Sequence, residues 1–142
     1  MEGFLGRFAT QIYAILRIVV GFMFMLHGTQ KVFNLPAFVN PCPCAPMPEA
    51  PQMFMLIVGI LELVFGLLVM LGFFTRLAAF LASGMMAVAY FIGHQANGAL
   101  PIQNGGTPAV LYCFIFLYIA AQGAGIWSVD SKMGGNTADN VE

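Results

Sequence analysis

Residues 53–72 read MFMLIVGILELVFGLLVMLG, twenty positions that carry one charge, Glu62. An α-helix rises about 1.5 Å per residue, so this stretch reaches about 30 Å, the thickness of a bilayer's hydrocarbon core. Gly59, Glu62 and Gly66 recur at steps of three and four and therefore share one stripe. The remaining circumference is Leu, Ile, Val, Phe and Met. A helix this apolar, polar along one narrow line only, suits lipid on most sides and a close neighbour on the last.

Working outward, three more stretches have the same character, over about 12–32, 77–93 and 108–126. Breakers bracket each of them. The segment 33–52 holds Pro36, Pro41, Pro43, Pro46, Pro48 and Pro51, Gly72 ends the second stretch, and Pro101, Asn104, Gly105 and Gly106 precede the fourth. Pro108 falls in the first turn of its helix, where a missing N–H costs nothing. The few residues between the second and third stretches make them a tight antiparallel hairpin. The expected fold is all-α: an integral membrane four-helix bundle, up-down-up-down, one domain over 1–142, capped by a proline-rich outer loop.

Composition agrees. Hydrophobic residues make up 60% of the chain and charged residues 8%, whereas a soluble domain carries about a quarter charged residues to clothe its surface. A net charge of -1 speaks against nucleic acid, which wants clustered Lys and Arg. The apolar run after Arg17 is too long for a signal-peptide core and meets no small-x-small cleavage site, so it reads as a retained first helix. Arg7, Arg17, Arg76 and Lys132 fall on one side of an even number of spans and Lys31 on the other. The bias of basic residues then puts both termini in the cytoplasm, with Trp127 at the interface on that side.

Arg17 and Glu62 lie inside spans, where a charge must face the bundle interior or find a partner. Arg17, Gly21, Phe24, Gly28 and Lys31 form one stripe of the first helix, opposite the Gly59–Glu62–Gly66 stripe of the second. Counted from the outer helix ends, Glu62 lies about 14 Å deep and Arg17 about 21 Å. An intramembrane Arg17–Glu62 pair is therefore expected. Alternatives are a purely orienting role for the pair, or an Arg17 that snorkels to the headgroups and leaves Glu62 protonated.

A second polar concentration sits toward the outer surface. His27 and Lys31 are one turn apart and His94 ends the third helix; these three are the candidate catalytic residues. Gln30, Gln103 and Asn104 are candidate linings of a vestibule beneath the proline loop, and Tyr90, Phe91, Tyr112 and Phe114 candidate walls of an apolar pocket. Two histidines at this depth suit a quinone head group, a proton relay, or a metal or haem; no spacing specifies a metal site. The bland reading is that helix-terminal His and Lys are interfacial anchors. Cys42 and Cys44, in a CxC spacing, are disulfide or thiol candidates facing an oxidising space, although neighbours two apart pair only under strain. Cys113 reads as a small buried hydrophobe.

These residues carry a resemblance. Leu16-Arg17 through His27-Gly28-Thr29-Gln30-Lys31 resembles the opening helix of the DoxX family. Gly59-Ile60-Leu61-Glu62 through Gly66, then Leu71-Gly72-Phe73-Phe74-Thr75-Arg76-Leu77, resembles its second helix and hairpin. Ala89-Tyr90-Phe91 through His94, Asn104-Gly105-Gly106, and the run from Ala109 to Gly125-Ile126-Trp127-Ser128-Val129-Asp130 resemble the rest. Thr107 stands where such proteins often have an acid, and Cys42-Pro43-Cys44 is not a feature of the family. The resemblance implies a four-helix bacterial inner-membrane protein of oxidoreductase type, related to the small membrane subunit of thiosulfate–quinone oxidoreductase.

Three functions compete. One is a redox or oxidative-stress-linked membrane subunit, with quinone as the candidate cofactor bound by His27, Lys31 and His94. The chain lacks a dinucleotide fingerprint and an iron–sulfur cysteine set, so this subunit needs a partner. The second is a non-catalytic scaffold or anchor, the third a small-molecule permease. In each case the partners expected are the lipid bilayer and either further copies or a membrane complex.

Overall fold

The computed structural model describes residues 2–36 and 51–134, all of them helix or connecting turn. Cys42, Cys44 and most of the proline-rich loop lie outside the described residues.

A short helix α1 (Glu2–Gly6) leads into α2 (Ala9–Phe33), followed by α3 (Gln52–Leu71) and α4 (Thr75–Ala89). Beyond Ala89 the chain stays helical through a widened π turn (Tyr90–His94) and a 3₁₀ turn (Gln95–Asn97). Then come α5 (Thr107–Gln122) and the short α6 (Val129–Gly134). Three helices, Ala9–Phe33, Gln52–Leu71 and Thr75–Asn97, are long and apolar enough to cross a membrane. The fourth apolar helix, α5, has 16 residues and reaches about 24 Å.

That helix is expected to continue to residue 126 but stops at Gln122. Gly123 takes φ +89°, a conformation L side chains avoid, and Gly125 follows with φ +65°. The break lets the guanidinium of Arg76 lie against Gly123, where it donates to the carbonyls of Ala120 (3.0 Å) and Ala121 (2.7 Å). A cation on the last carbonyls of a helix satisfies acceptors that have no intrahelical donor.

Packing follows the small residues. The α2–α3 seam is built on Gly21 and Gly28 against Gly59 and Gly66, backbone on backbone: a Cβ added to Gly66 would lie 2.5 Å from the Met25 amide nitrogen, and one added to Gly21 2.6 Å from that of Met70. The α4–α5 seam uses Ala78, Ala79, Ala82 and Ser83 against Phe116 and Ile119, and the Ser83 hydroxyl donates to the Cys113 carbonyl (2.8 Å). Phe24 joins the two pairs, its ring 4.8 Å from Phe116. Large apolar side chains cover the outside, among them Phe80, Phe91, Ile92 and Phe114, an exterior that water would penalise and acyl chains accept.

The expected Arg17–Glu62 pair does not form. Arg17 is fully buried, at 0% exposure, but it points at the end of α3 and the turn after α5. Nη1 donates to the carbonyls of Val69 and Met70 (2.8 Å each) and Nη2 to that of Trp127 (2.8 Å), with Ile126 further off at 3.4 Å. The physical reason is local. The C-terminal end of a helix presents carbonyls without donors and a partial negative charge, and it lies nearer to Arg17 than Glu62 does.

Nearby, Asp130 performs the converse service at the start of α4. Its carboxylate accepts from the Phe74 and Thr75 amides (2.9 Å each) and from the Thr75 hydroxyl (2.8 Å), and its own amide donates to the Gly72 carbonyl (2.9 Å). Partial burial works against the charge of Asp130. The bonds from Thr75 and Phe74 and the nearby Arg17 outweigh it and hold the carboxyl below its ordinary range.

Candidate functional site

The opposite end of the bundle is less tightly closed. On the seam with α2, the Gly28–Gly59 contact brings the last turns of α2 level with Glu62 on α3. Side chains on a helix lean toward its N-terminus, so Lys31 reaches back along α2 into the bundle. Its Nζ forms an ion pair with Glu62 Oε1. Glu62 is 3% exposed. Its second oxygen, Oε2, has no hydrogen-bond partner among the described residues.

Beside this pair lies a cavity of about 420 Å³. One wall is α3, through Phe54, Ile57, Val58 and Leu61. The other is α4 with its widened turn, through Met85, Val88, Ala89 and Ile92. Phe54, Ile57, Leu61, Val88 and Ile92 also face outward, so the cleft between α3 and α4 is continuous with the apolar exterior. The floor is Phe24, Met86 and Tyr112. The polar groups of the lining are His27, Lys31, Glu62 and His94.

Each is set by its own local structure. His27 meets the edge of Tyr112 at 5.9 Å between ring centroids. It also lines a second pocket of about 190 Å³ formed with Met23, Leu26, Gln30 and Pro36. His94 closes the widened turn, a feature that recurs at functional sites because it re-aims side chains without ending the helix. Its Nδ1 lies 3.1 Å from the Asn104 carbonyl. A carbonyl only accepts, so Nδ1 carries the proton, and in the neutral ring Nε2 is the acceptor.

Among the described residues Gln30, Gln103 and Asn104 do not line one common cavity. Gln30 turns to the second pocket, with Nε2 donating to the Pro36 carbonyl (3.2 Å). Gln103 is exposed. Asn104, fully buried at 0% exposure, organises the loop instead. Its amide donates to the Gly98 carbonyl (3.0 Å), its Oδ1 accepts from the Gly106 amide (2.8 Å), and its backbone carbonyl holds His94. A short polar residue bonding the backbone two positions on is a turn device, and the sequence Asn104-Gly105-Gly106 was its signal. Of the four aromatics, Tyr112 lines the cavity and Tyr90 contacts Asn104 (3.4 Å). Phe91 and Phe114 face outward, 62% and 65% exposed.

What reading the residues missed is where the apolar pocket lies, between α3 and α4 with only Tyr112 of the four aromatics in its lining, since a gap between two packed helices leaves no mark on either helix alone. Among the described residues no three of His, Cys, Asp and Glu gather as a metal site. A mostly apolar cleft with a few polar groups in its lining, at a volume typical of small-molecule pockets, suits a lipophilic molecule with a polar head.

The DoxX family model matches residues 12–95. An uncharacterized protein of Haemophilus influenzae is 42% identical over 134 residues, which cover 90% of this chain and 95% of that relative. No solved structure matches.

Proposed function

The chain belongs to the DoxX family, and on that premise we propose that it is a small integral membrane subunit of a redox complex that receives a quinone head group in the cavity beside Glu62. The observation that carries the reading is the cavity's two-part character. Its walls between α3 and α4 merge with an exterior fit for acyl chains, and its lining includes Lys31, Glu62, His27 and His94. A quinone dissolved in the bilayer meets such a cleft from the side, with its tail left in lipid. The head group supplies the redox chemistry, and a partner subunit supplies the electrons. This chain's residues bind and orient: Phe24 and Tyr112 flank the ring, Lys31 and His27 offer donors to its carbonyl oxygens, and His94 Nε2 offers an acceptor to the hydroxyl of its reduced form.

The topology that goes with this reading has four spans and both termini in the cytoplasm of a bacterial cell. Arg17 and Arg76 sit at the end of the bundle that carries the α3 and α5 C-termini, and Lys31 and His94 at the other. The excess of basic residues marks the first end as cytoplasmic. The quinone site then faces the outer side. In that arrangement α5 crosses a locally thinner bilayer or adds its following turns to the span.

The test is purification from native membranes with lipid extraction and mass spectrometry, beside the variant Ala89→Phe, which fills the cleft without touching a polar group. Quinone is expected to accompany the wild-type protein and to be lost from the variant. Protein that carries no quinone, and supports no donor-dependent quinone reduction in native membrane vesicles, sinks the proposal.

A further inference from the structure

The polar groups that line the cavity are not all matched in hydrogen bonding. Glu62 is paired with Lys31 through one oxygen, and a carboxylate ionised in that way is an acceptor only. The other oxygen, Oε2, is buried and has no donor among the described residues, a condition native proteins rarely tolerate without a reason. His94, held through Nδ1–H by the Asn104 carbonyl, contributes an acceptor at Nε2 in its neutral ring. Beside the cavity that Glu62 helps to line, Oε2 is thus a buried acceptor that lacks a donor.

Resting on the quinone reading, we infer that the cavity is built for the reduced, hydroxyl-bearing form of the head group, with Glu62 Oε2 accepting the hydrogen bond of one phenolic hydroxyl. A quinone carbonyl at that position sets lone pair against lone pair in a site without water-like screening. A quinol hydroxyl supplies the one donor that the buried oxygen lacks, and a hydrogen bond to a charged acceptor is worth more than one between neutral groups. The ring and tail meet the same apolar walls in both forms, so the preference rests on the hydroxyl alone. Glu62 is a binding residue here; the inference concerns which redox form the site holds.

The experiment compares four ligands on the full chain in detergent by titration calorimetry: a decyl-substituted benzoquinone, its quinol kept reduced, the quinol's dimethyl ether, and decanol. Quinol binding about ten-fold or more tighter than that of the quinone and the dimethyl ether is expected, the scale of one charge-assisted hydrogen bond. In Glu62→Gln that preference falls to within about two-fold. Equal binding of quinone, quinol and ether, or a preference for the quinone, overturns this inference while leaving a quinone site in place. A preference that survives in Glu62→Gln also overturns it, since the acceptor then lies elsewhere. Decanol binding as tightly as the quinol overturns it too, by removing the ring from recognition. If none of the four binds, the quinone reading itself fails. The wild-type comparison decides the matter even if Glu62→Gln does not fold.

Discussion

Placing a methyl group at Gly66 tests the seam on which the first half of the molecule is built. A Cβ there would lie 2.5 Å from the Met25 amide nitrogen and 2.8 Å from both Met25 Cα and the Gly21 carbonyl. All three obstacles are backbone, which cannot swing aside as a side chain can. Restoring an ordinary contact of 3.4 Å from 2.5 Å moves the helices apart by about 0.9 Å. A gap of that size forfeits a quarter to a half of the dispersion energy of each contact along the seam. Gly66→Ala is therefore expected to cost about 2–3 kcal/mol, the upper part of the overpacking range. Gly21→Ala, with its Cβ 2.6 Å from the Met70 nitrogen and 2.8 Å from the Gly66 carbonyl, is expected to cost about the same. The two sites face each other, and one separation relieves both clashes. The double variant should then cost little more than either single one, leaving a coupling of about 2 kcal/mol in the cycle. Reversible unfolding in mixed micelles, followed by circular dichroism, measures all four proteins. Two Ala variants as stable as wild type, or strictly additive losses, would refute the backbone-contact account of the seam.

Replacing Arg17 by Leu removes the donors to Val69, Met70 and Trp127, and the expected loss in the same unfolding assay is about 3 kcal/mol or more, with Arg17→Lys intermediate. Lys31→Met strands the buried Glu62 carboxylate and should destabilise by about 3–5 kcal/mol, whereas Lys31→Met with Glu62→Leu recovers most of that loss. The same cycle run on Arg17 and Glu62 should give no coupling, and a coupling there would count against the pairing described. Asp130 has a folded-state pKa below its ordinary value, so its contribution is present above about pH 4 and is lost as pH falls through the lowered folded value. Asp130→Ala should cost about 1 kcal/mol at neutral pH and flatten the acid limb of the stability profile, which a pH series of unfolding midpoints reads directly.

Much of the frame was legible in the residues because lipid imposes so strict a rule. Four apolar runs, and inward stripes at Gly59–Glu62–Gly66 and Arg17–Gly21–Phe24–Gly28, follow from composition and the 3.6-residue period alone. In the structure those stripe residues are buried. The partners were harder. Depth along an ideal helix placed Arg17 within reach of Glu62, but it ignored the backbone carbonyls that compete for a guanidinium at a helix end. It also ignored the lean of Lys31, which carries its ammonium back into the bundle. His27, Lys31 and His94 were chosen by residue type and side of the membrane, and all three line one cavity. Asn104 was read as a lining residue because its side chain is polar, yet it bonds its own loop. Asp130 gave no signal of its link to Thr75, since 55 residues separate the two in the chain.

The clasp made by Arg17 has a bearing on biogenesis. During translation from the N-terminus, this arginine leaves the ribosome long before any of its four acceptors. Val69 and Met70 arrive with the first helical hairpin and can engage one side of the guanidinium, while Ile126 and Trp127 emerge only near the chain's end. The clasp is thus complete only once both sets of carbonyls have been made. A nascent chain stalled between residues 72 and 126 would leave Nη2 of a buried guanidinium without its acceptors, a costly state in an apolar surrounding.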